Sequence, residues 1–207
     1  MSLSDNVYII GLTGQSGAGK STVSKIFSQT GLPVIDADCI SREVSRGDDF
    51  LKETAELFSD CVAGGKLDRR KLASIVFNDP QKLLSYTNII YPYITKAVFS
   101  EIKRLKEQAN TVIILDAPTL FESGLDDICA AVVSVIAPME LKIKRILERD
   151  NIPVELVYSR LGSQNSEEYF KSRSDYVIEN DSDLDSLKEK TLDIIAKLAK
   201  RFEQQRL

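Results

Sequence analysis

Short apolar runs alternate along the chain with longer segments whose apolar residues recur at helical spacing. Five of these runs are predicted as strands, at residues 7–12, 34–36, 112–116, 130–137 and 176–178. The runs are continuous and rich in Val and Ile, which is typical of strands buried on both faces of a parallel sheet. Because helical segments separate the strands, the pattern predicts right-handed β-α-β units.

Two segments are predicted as helices that cover this sheet. Residues 21–30 follow the first strand and end at Gly31 and Pro33, two residue types that interrupt helices. Residues 184–204 carry apolar side chains at mostly helical spacing, as expected of a helix with one buried face.

The stretch 46–108 breaks the alternation, because it has helical patterns and no clear strand. It contains adjacent glycines at 64 and 65 and a helix stop at Asn78-Asp79-Pro80. We interpret it as a helical insertion between the second and third strands. The total length of 207 residues suits one globular domain that carries an inserted subdomain.

Composition narrows the class of protein. The formal net charge of −4 argues against a general nucleic-acid binder, which needs a basic surface. No apolar stretch approaches the length of a membrane span, and residues 1–6 carry an acid where a signal peptide would be basic. The three cysteines are far apart, which predicts a reducing compartment and a cytoplasmic protein. With no His and no cysteine cluster, a structural zinc site is not expected.

A phosphate-binding motif follows the first strand. Residues 14–21 match G-x-x-x-x-G-K-[ST] and stand directly before a predicted helix, where backbone N–H groups and the positive helix end can face phosphates. Lys20 is expected to reach the β- and γ-phosphates of ATP and to be solvated without a ligand, while the Ser21 hydroxyl binds Mg²⁺. The residues predicted to contact the nucleotide are Gly14, Gln15, Ser16, Gly17, Ala18, Gly19, Lys20, Ser21 and Thr22.

The acids after the second strand indicate which kind of P-loop protein this is. Neither the N-K-x-D nor the D-x-x-G motif of GTPases is present. Asp36 and Asp38 stand at the carboxyl end of a parallel strand, the edge that faces the ligand crevice. Two acids with only Arg42 nearby favour a hydroxyl acceptor, which gains from a carboxylate that takes its proton. Spacing does not choose between the two acids, and both could instead cap the next helix.

Two further segments supply candidate chemistry. Asp116 ends the third strand, the position of a second-shell Mg²⁺ acid in such folds, and Glu122 follows it. After the fourth strand, Lys142, Arg145 and Arg149 share one helix face, which suits a lid whose arginines stabilise transferred charge; a plain solvated face is the alternative. The elements together predict an α/β fold of the P-loop NTPase type, with three layers, a parallel five-stranded sheet, a helical substrate-domain insertion and a lid.

With these motifs in place, the chain resembles the dephospho-coenzyme A kinase family over nearly its whole length. Many families share the P-loop, whereas Ile-Asp-Ala-Asp at 35–38 together with Asp-x-Pro-x-Leu-Phe-Glu at 116–122 is much more specific. The other matching segments are 11–14, Arg42, 67–72, 76–77, Arg145, 149–150, Arg160, Gln164 and 175–180.

The resemblance implies a domain organisation and a reaction. The nucleotide-binding core spans 4–45 and 109–207, with a lid at about 142–172, and 46–108 forms the helical domain that holds coenzyme A. The reaction is transfer of the γ-phosphoryl group of ATP-Mg²⁺ to the ribose 3′-hydroxyl of the small molecule dephospho-coenzyme A.

The resemblance also implies site roles. Asp38 is the catalytic base, and the region up to and including Asn180 lies near the adenine of ATP, while Lys20, Arg145 and Arg149 are expected from the motif and the basic helix face to assist the transfer. Acceptor contacts are assigned to Asp38, Arg42, Arg69, Tyr91 and Glu122, and metal contacts to Ser21 and Asp116.

Two positions depart from the family pattern on the acceptor side. The chain has Tyr91-Pro92 where members usually carry His-Pro, and Thr119 where they usually carry Leu. Two alternatives therefore remain beside the family reaction: a nucleoside or nucleotide kinase with another acceptor, and a nucleotide-binding regulatory module without turnover.

Overall fold

The computed structural model, which describes residues 7–204, contains a five-stranded parallel sheet. All five predicted strands are confirmed, with the bounds β1 Tyr8–Gly14, β2 Val34–Asp36, β5 Val112–Asp116, β6 Ala131–Ile136 and β7 Tyr176–Glu179. Their order across the sheet is β2-β5-β1-β6-β7. In register, Leu12 of β1 stands between Asp116 of β5 and Val133 of β6.

Helices α1 (Lys20–Gln29) and α9 (Leu184–Gln204) cover one face of this sheet, as the apolar spacing predicted. Phe27 of α1 and Leu198 of α9 are fully or almost fully buried in one cluster with the strand residues Leu12 and Val133. The remaining helices of this part of the chain are α6 Met139–Asp150, α7 Val154–Gly162 and α8 Glu167–Arg173.

The chain divides into two compact units. One consists of Asp36–Arg104, and the other of the described parts of Met1–Ile35 and Leu105–Leu207. The unit Asp36–Arg104 begins ten residues before residue 46, the boundary predicted from the sequence. It does so because its first helix is hydrogen-bonded to a later helix of the same unit, through Arg69 and the carbonyl of Ser41. Its helices are α2 Ala37–Val44, α3 Asp48–Phe58, α4 Arg69–Val76 and most of α5 Pro80–Glu107.

A hairpin lies within this helical unit, so the prediction that 46–108 lacks strands is wrong. Strands β3 (Val62–Ala63) and β4 (Lys66–Leu67) pair antiparallel. Gly64 and Gly65 join them with φ angles of 57° and 70°, a left-handed conformation that favours glycine in two-residue hairpin turns. Strands of two residues are too short to show an alternating pattern. The adjacent glycines were the only sequence feature that indicated a hairpin turn here.

The predicted helix stop at Asn78-Asp79-Pro80 is confirmed, and it also starts the next helix. The Asp79 carboxylate accepts hydrogen bonds from the backbone N–H groups of Gln81 and Lys82 at 3.0 and 3.2 Å. Pro80 is the first residue of α5, a position that needs no N–H donor. Among residues 7–204, no helix is long and apolar enough to cross a bilayer. Residues 1–6, on which the signal-peptide prediction rests, lie outside the described range.

Candidate active site

The phosphate loop runs from the end of β1 to the start of α1 in close contact with its neighbours. Gly14 has a φ of 147°, and a Cβ there would lie 2.3 Å from the carbonyl oxygen of Val135. Gly17 has a φ of 77°, and a Cβ there would lie 2.7 Å from the carbonyl oxygen of Lys142. Any side chain at these two positions would therefore push the loop away from β6 or α6.

Lys20, the lysine of this loop, is paired with an acid. Its Nζ donates a hydrogen bond to Oδ1 of Asp116, and the side chains are 17% and 9% exposed. The expectation of a solvated Lys20 is therefore wrong. The pair depends on the strand order, which the apolar runs alone do not reveal: β5 neighbours β1, so the acid at the end of β5 comes beside the loop that follows β1.

The three basic residues predicted to share a face of α6 have three different environments. Lys142 is 2% exposed and donates from Nζ to Oε1 of Gln15 at 2.5 Å. Arg145 donates to the Gly17 carbonyl at 3.4 Å and to Oδ1 of Asn180 at 3.2 Å. Lys142 and Arg145 thus both contact the phosphate loop directly.

Arg149, by contrast, is 58% exposed and donates to both carboxylate oxygens of Asp150 at 2.7 and 2.9 Å. Arg160 of α7 donates to the same carboxylate. The hydrogen bonds from Arg149, and then those from Arg160, hold the pKa of Asp150 well below its usual range. One acid therefore holds both arginines together.

Asn180, expected near the adenine of ATP, contacts the other end of the loop. It is 5% exposed, and its Nδ2 donates to the carbonyl of Ala18 at 2.8 Å. Its backbone N–H donates to the carbonyl of Ile136 at 2.8 Å, which continues the register of β7 beside β6. The residue after β7 is thus fixed against the phosphate loop.

Residues 163–166, between α7 and α8, cross the phosphate loop, and we call them the crossing segment. Gln164 accepts a hydrogen bond from the Ser16 N–H through Oε1 at 3.0 Å, and the Asn165 carbonyl accepts from Nε2 of Gln15 at 2.8 Å. Nδ2 of Asn165 donates to Oε1 of Glu122 at 2.6 Å. From the sequence, Lys142 was named on the basic face of α6 and Gln164 among the positions that match the family, but neither was given a role, and Asn165 was not identified. Lys142 is four residues before the buried Ile146, a spacing that would have indicated a buried position.

The helical unit contains a separate basic cavity of about 410 Å³. Arg69 spans part of it, donating to the carbonyl of Ser41 at 3.2 Å and to Oγ of Ser45 at 3.0 Å, which ties α4 to α2. The predicted acceptor residues Arg42 and Arg69 therefore share one cavity. Its full lining is Arg42, Ser45, Arg46, Gly65, Lys66, Leu67 and Arg69.

The two acids after β2 lie at the start of this unit. Asp36 caps α2, because its Oδ1 accepts the Cys39 N–H at 2.8 Å. Asp38 lies in the first turn of the helix and is exposed. The capping alternative therefore holds for Asp36. Tyr91 lies half-buried on α5 of the same unit.

A glycine-rich loop that joins a strand of a parallel sheet to the following helix is typical of P-loop proteins, and the fold of this chain is that of the P-loop kinases. The chain belongs to the dephospho-CoA kinase family: the family model of that description matches residues 8–186. The predicted resemblance and fold class are thereby confirmed, and membership makes the protein a transferase that uses a nucleotide.

Individual relatives agree. A dephospho-CoA kinase of Fusobacterium nucleatum is 40% identical over 185 residues, which cover 88% of this chain and 94% of that protein. A crystal structure of a Thermus thermophilus protein matches with a TM-score of 0.82 and 33% identity, over 94% of this chain and 99% of that one. The structure of a dephospho-CoA kinase from Campylobacter jejuni matches with a TM-score of 0.68 and 26% identity, over 93% and 97%.

Proposed function

We propose that the protein transfers the γ-phosphoryl group of ATP to the ribose 3′-hydroxyl of dephospho-coenzyme A, which gives coenzyme A. The observation that carries the proposal is the phosphate loop of a dephospho-CoA kinase family member, with its lysine oriented by Asp116 and its backbone contacted by Arg145 and Asn180. We also propose that it works in the cytoplasm, where its free cysteines stay reduced.

The nucleotide occupies the loop. Lys20 binds the β- and γ-phosphates, and the backbone N–H groups at the start of α1 add the positive end of the helix. Arg145 stabilises the charge that spreads over the transferred group, and its hydrogen bond to the loop supports this role. Asn180 supports the loop on the side where we place the adenine.

The residues around Lys20 fit the magnesium ion that accompanies ATP. Mg²⁺ takes oxygen ligands, and Ser21 supplies a hydroxyl beside Lys20 while Asp116 supplies a carboxylate in contact with that lysine. When bound, the ion neutralises charge on the β- and γ-phosphates. Asp116 would hold the ion and Lys20 together at the carboxyl end of β5.

Asp38 takes the proton of the acceptor hydroxyl. A carboxylate near the attacking oxygen makes that oxygen a better nucleophile as the P–O bond forms. Asp36 is engaged in capping α2, which supports the assignment of the base to Asp38 that the family resemblance makes.

The basic cavity of the helical unit binds the pyrophosphate of the acceptor. Dephospho-coenzyme A carries two linked phosphates between its adenosine and pantetheine parts, and four cationic side chains line the cavity: Arg42, Arg46, Lys66 and Arg69. Arginine forks suit phosphate oxygens in particular. Tyr91 and Glu122 complete the predicted acceptor contacts.

An acceptor panel tests the proposal. Purified protein with ATP and Mg²⁺ should release ADP when dephospho-coenzyme A is added, and much more slowly with nucleosides or nucleoside monophosphates. A preference for one of those other acceptors would replace the proposed substrate. Nucleotide binding with no acceptor-dependent ADP release would indicate a regulatory module.

A further inference from the structure

A buried lysine that the proposed mechanism does not use lies directly under the phosphate loop. Lys142 is 2% exposed, and its ammonium donates at 2.5 Å to a neutral amide oxygen, Oε1 of Gln15. Burial lowers the pKa of Lys142, an effect that the charge of Glu167 opposes. Placing an ammonium in the protein interior is costly even when it has one hydrogen-bond acceptor. Because the buried Lys142 ammonium contributes little to stability, we expect it to have a functional role.

The hydrogen bonds that start at Lys142 continue across the loop. Gln15 accepts from Lys142 and donates from Nε2 to the carbonyl of Asn165 at 2.8 Å. Asn165 in turn donates from Nδ2 to the carboxylate of Glu122 at 2.6 Å. Every donor in this chain points away from the ammonium and towards the carboxylate. Both ends are therefore charge-assisted, which strengthens the terminal bonds.

The Gln15 amide can be held in only one orientation by these two partners. Its oxygen must face the Lys142 ammonium and its NH₂ group must face the Asn165 carbonyl. Without the ammonium, the amide could turn over and lose the bond to the crossing segment. The crossing segment would then keep Gln164 on the Ser16 N–H as its direct bond to the loop.

We propose that Lys142 is a positioning residue for ATP binding, which acts through Gln15 to fix the crossing segment on the phosphate loop. The inference rests on the proposed function only in taking this loop as the ATP site. Lys142 does not itself contact phosphate; it sets the conformation of the loop and of the crossing segment before the nucleotide binds.

Lys142→Met tests the proposal, because Met has a similar length and no donor. ATP and ADP affinity, measured by calorimetry without any acceptor, should weaken on the order of 10- to 100-fold, the value of one charge-assisted hydrogen bond. The ATP KM should rise in parallel, while kcat changes less than about threefold. Lys144→Met, which removes an equal charge from an exposed position of α6, should keep the parent affinity.

Two further variants separate positioning from a packing role. Lys142→Gln retains an N–H donor and should recover part of the lost affinity. Gln15→Ala should weaken nucleotide binding similarly, and the Lys142→Met/Gln15→Ala double variant should be no worse than the poorer single one, since both break the same chain. The proposal is overturned if Lys142→Met and Lys142→Gln lose equal nucleotide affinity. It is also overturned if the losses of the two single variants add in the double variant.

Thermal stability completes the test. Lys142→Met removes a buried charge but leaves the Gln15 amide oxygen without its donor, and these two effects oppose each other. We therefore expect little change in Tm. A fall in Tm of more than about 5 °C with unchanged nucleotide affinity would make Lys142 a structural residue. If calorimetry shows the predicted loss and no acceptor is phosphorylated, the proposed reaction fails and the positioning role stands.

Discussion

Replacing Lys20 with Met should destabilise the protein as well as inactivate it, because the lysine is paired in the structure. The change leaves the Asp116 carboxylate, whose side chain is 9% exposed, without its cation. Removing one partner of a fully buried ion pair costs about 3–5 kcal/mol, and the partial exposure of both side chains, 17% for Lys20 and 9% for Asp116, lets water offset part of that cost. We expect a loss of about 1–3 kcal/mol in the free energy of unfolding.

Thermal denaturation measures this loss. For a chain of this size, 1 kcal/mol corresponds to about 2–4 °C, so a loss of about 1–3 kcal/mol in Lys20→Met should lower Tm by about 2–12 °C. Lys25→Met is the matched control, since it removes the same charge from an exposed position of α1 and should leave Tm unchanged.

The double variant Lys20→Met/Asp116→Asn separates stability from catalysis. It removes the orphaned carboxylate, so most of the lost Tm should return, while turnover should stay near zero because the phosphate-binding lysine is missing. A Tm of Lys20→Met equal to that of the parent would refute the ion pair. Near-full activity of that variant would refute the role of Lys20 itself.

Four other variants test individual residues. Asp38→Asn should lower kcat by about 10²–10⁴-fold with ATP affinity retained, which steady-state kinetics will measure. Asp36→Asn should mainly lower Tm in a melting curve, because it weakens the cap of α2. The opposite pattern would reverse the roles of the two acids. Arg149→Ala should lower kcat more than it weakens ATP binding, and weaker binding at unchanged kcat would make it a docking residue. Gly17→Ala adds a Cβ 2.7 Å from the Lys142 carbonyl and should cost at least about tenfold in ADP affinity by calorimetry; parent-like affinity would contradict the close packing of the loop on α6.

The three central strands β5, β1 and β6 were predictable because they are buried on both faces and therefore stand out as continuous apolar runs, whereas the edge strands β2 and β7 are partly exposed. The phosphate loop was predictable for a related reason: its motif follows the buried strand β1 and directly precedes α1, which is the position that a phosphate-binding loop requires. The hairpin of β3 and β4 escaped because four paired residues carry no periodic signal. Its glycines adopt positive φ angles, a local backbone property that a search for hydrophobic periodicity does not register.

In the candidate site, too, features set by local spacing were predictable and contacts between distant segments were not. The phosphate loop itself was predictable from the spacing of its motif, and Arg145, which contacts this loop, lies on the face of α6 where basic residues recur. Contacts that depend on packing between distant segments were not predictable in this way. The Lys20 to Asp116 pair needs the strand order, and the bond from Lys142 to Gln15 needs the helix rotation that buries Lys142 beside Ile146.

The position of the transferred phosphate tests the central claim most directly. Incubation with ATP, Mg²⁺ and dephospho-coenzyme A should give a product whose new phosphorus signal correlates with the ribose H3′ proton in a ¹H–³¹P NMR spectrum. The same signal should be absent when Asp38→Asn replaces the parent over the same incubation. A product phosphorylated at any other atom, or ADP formed at a rate that dephospho-coenzyme A does not change, would contradict the assignment of this chain as the kinase of that hydroxyl.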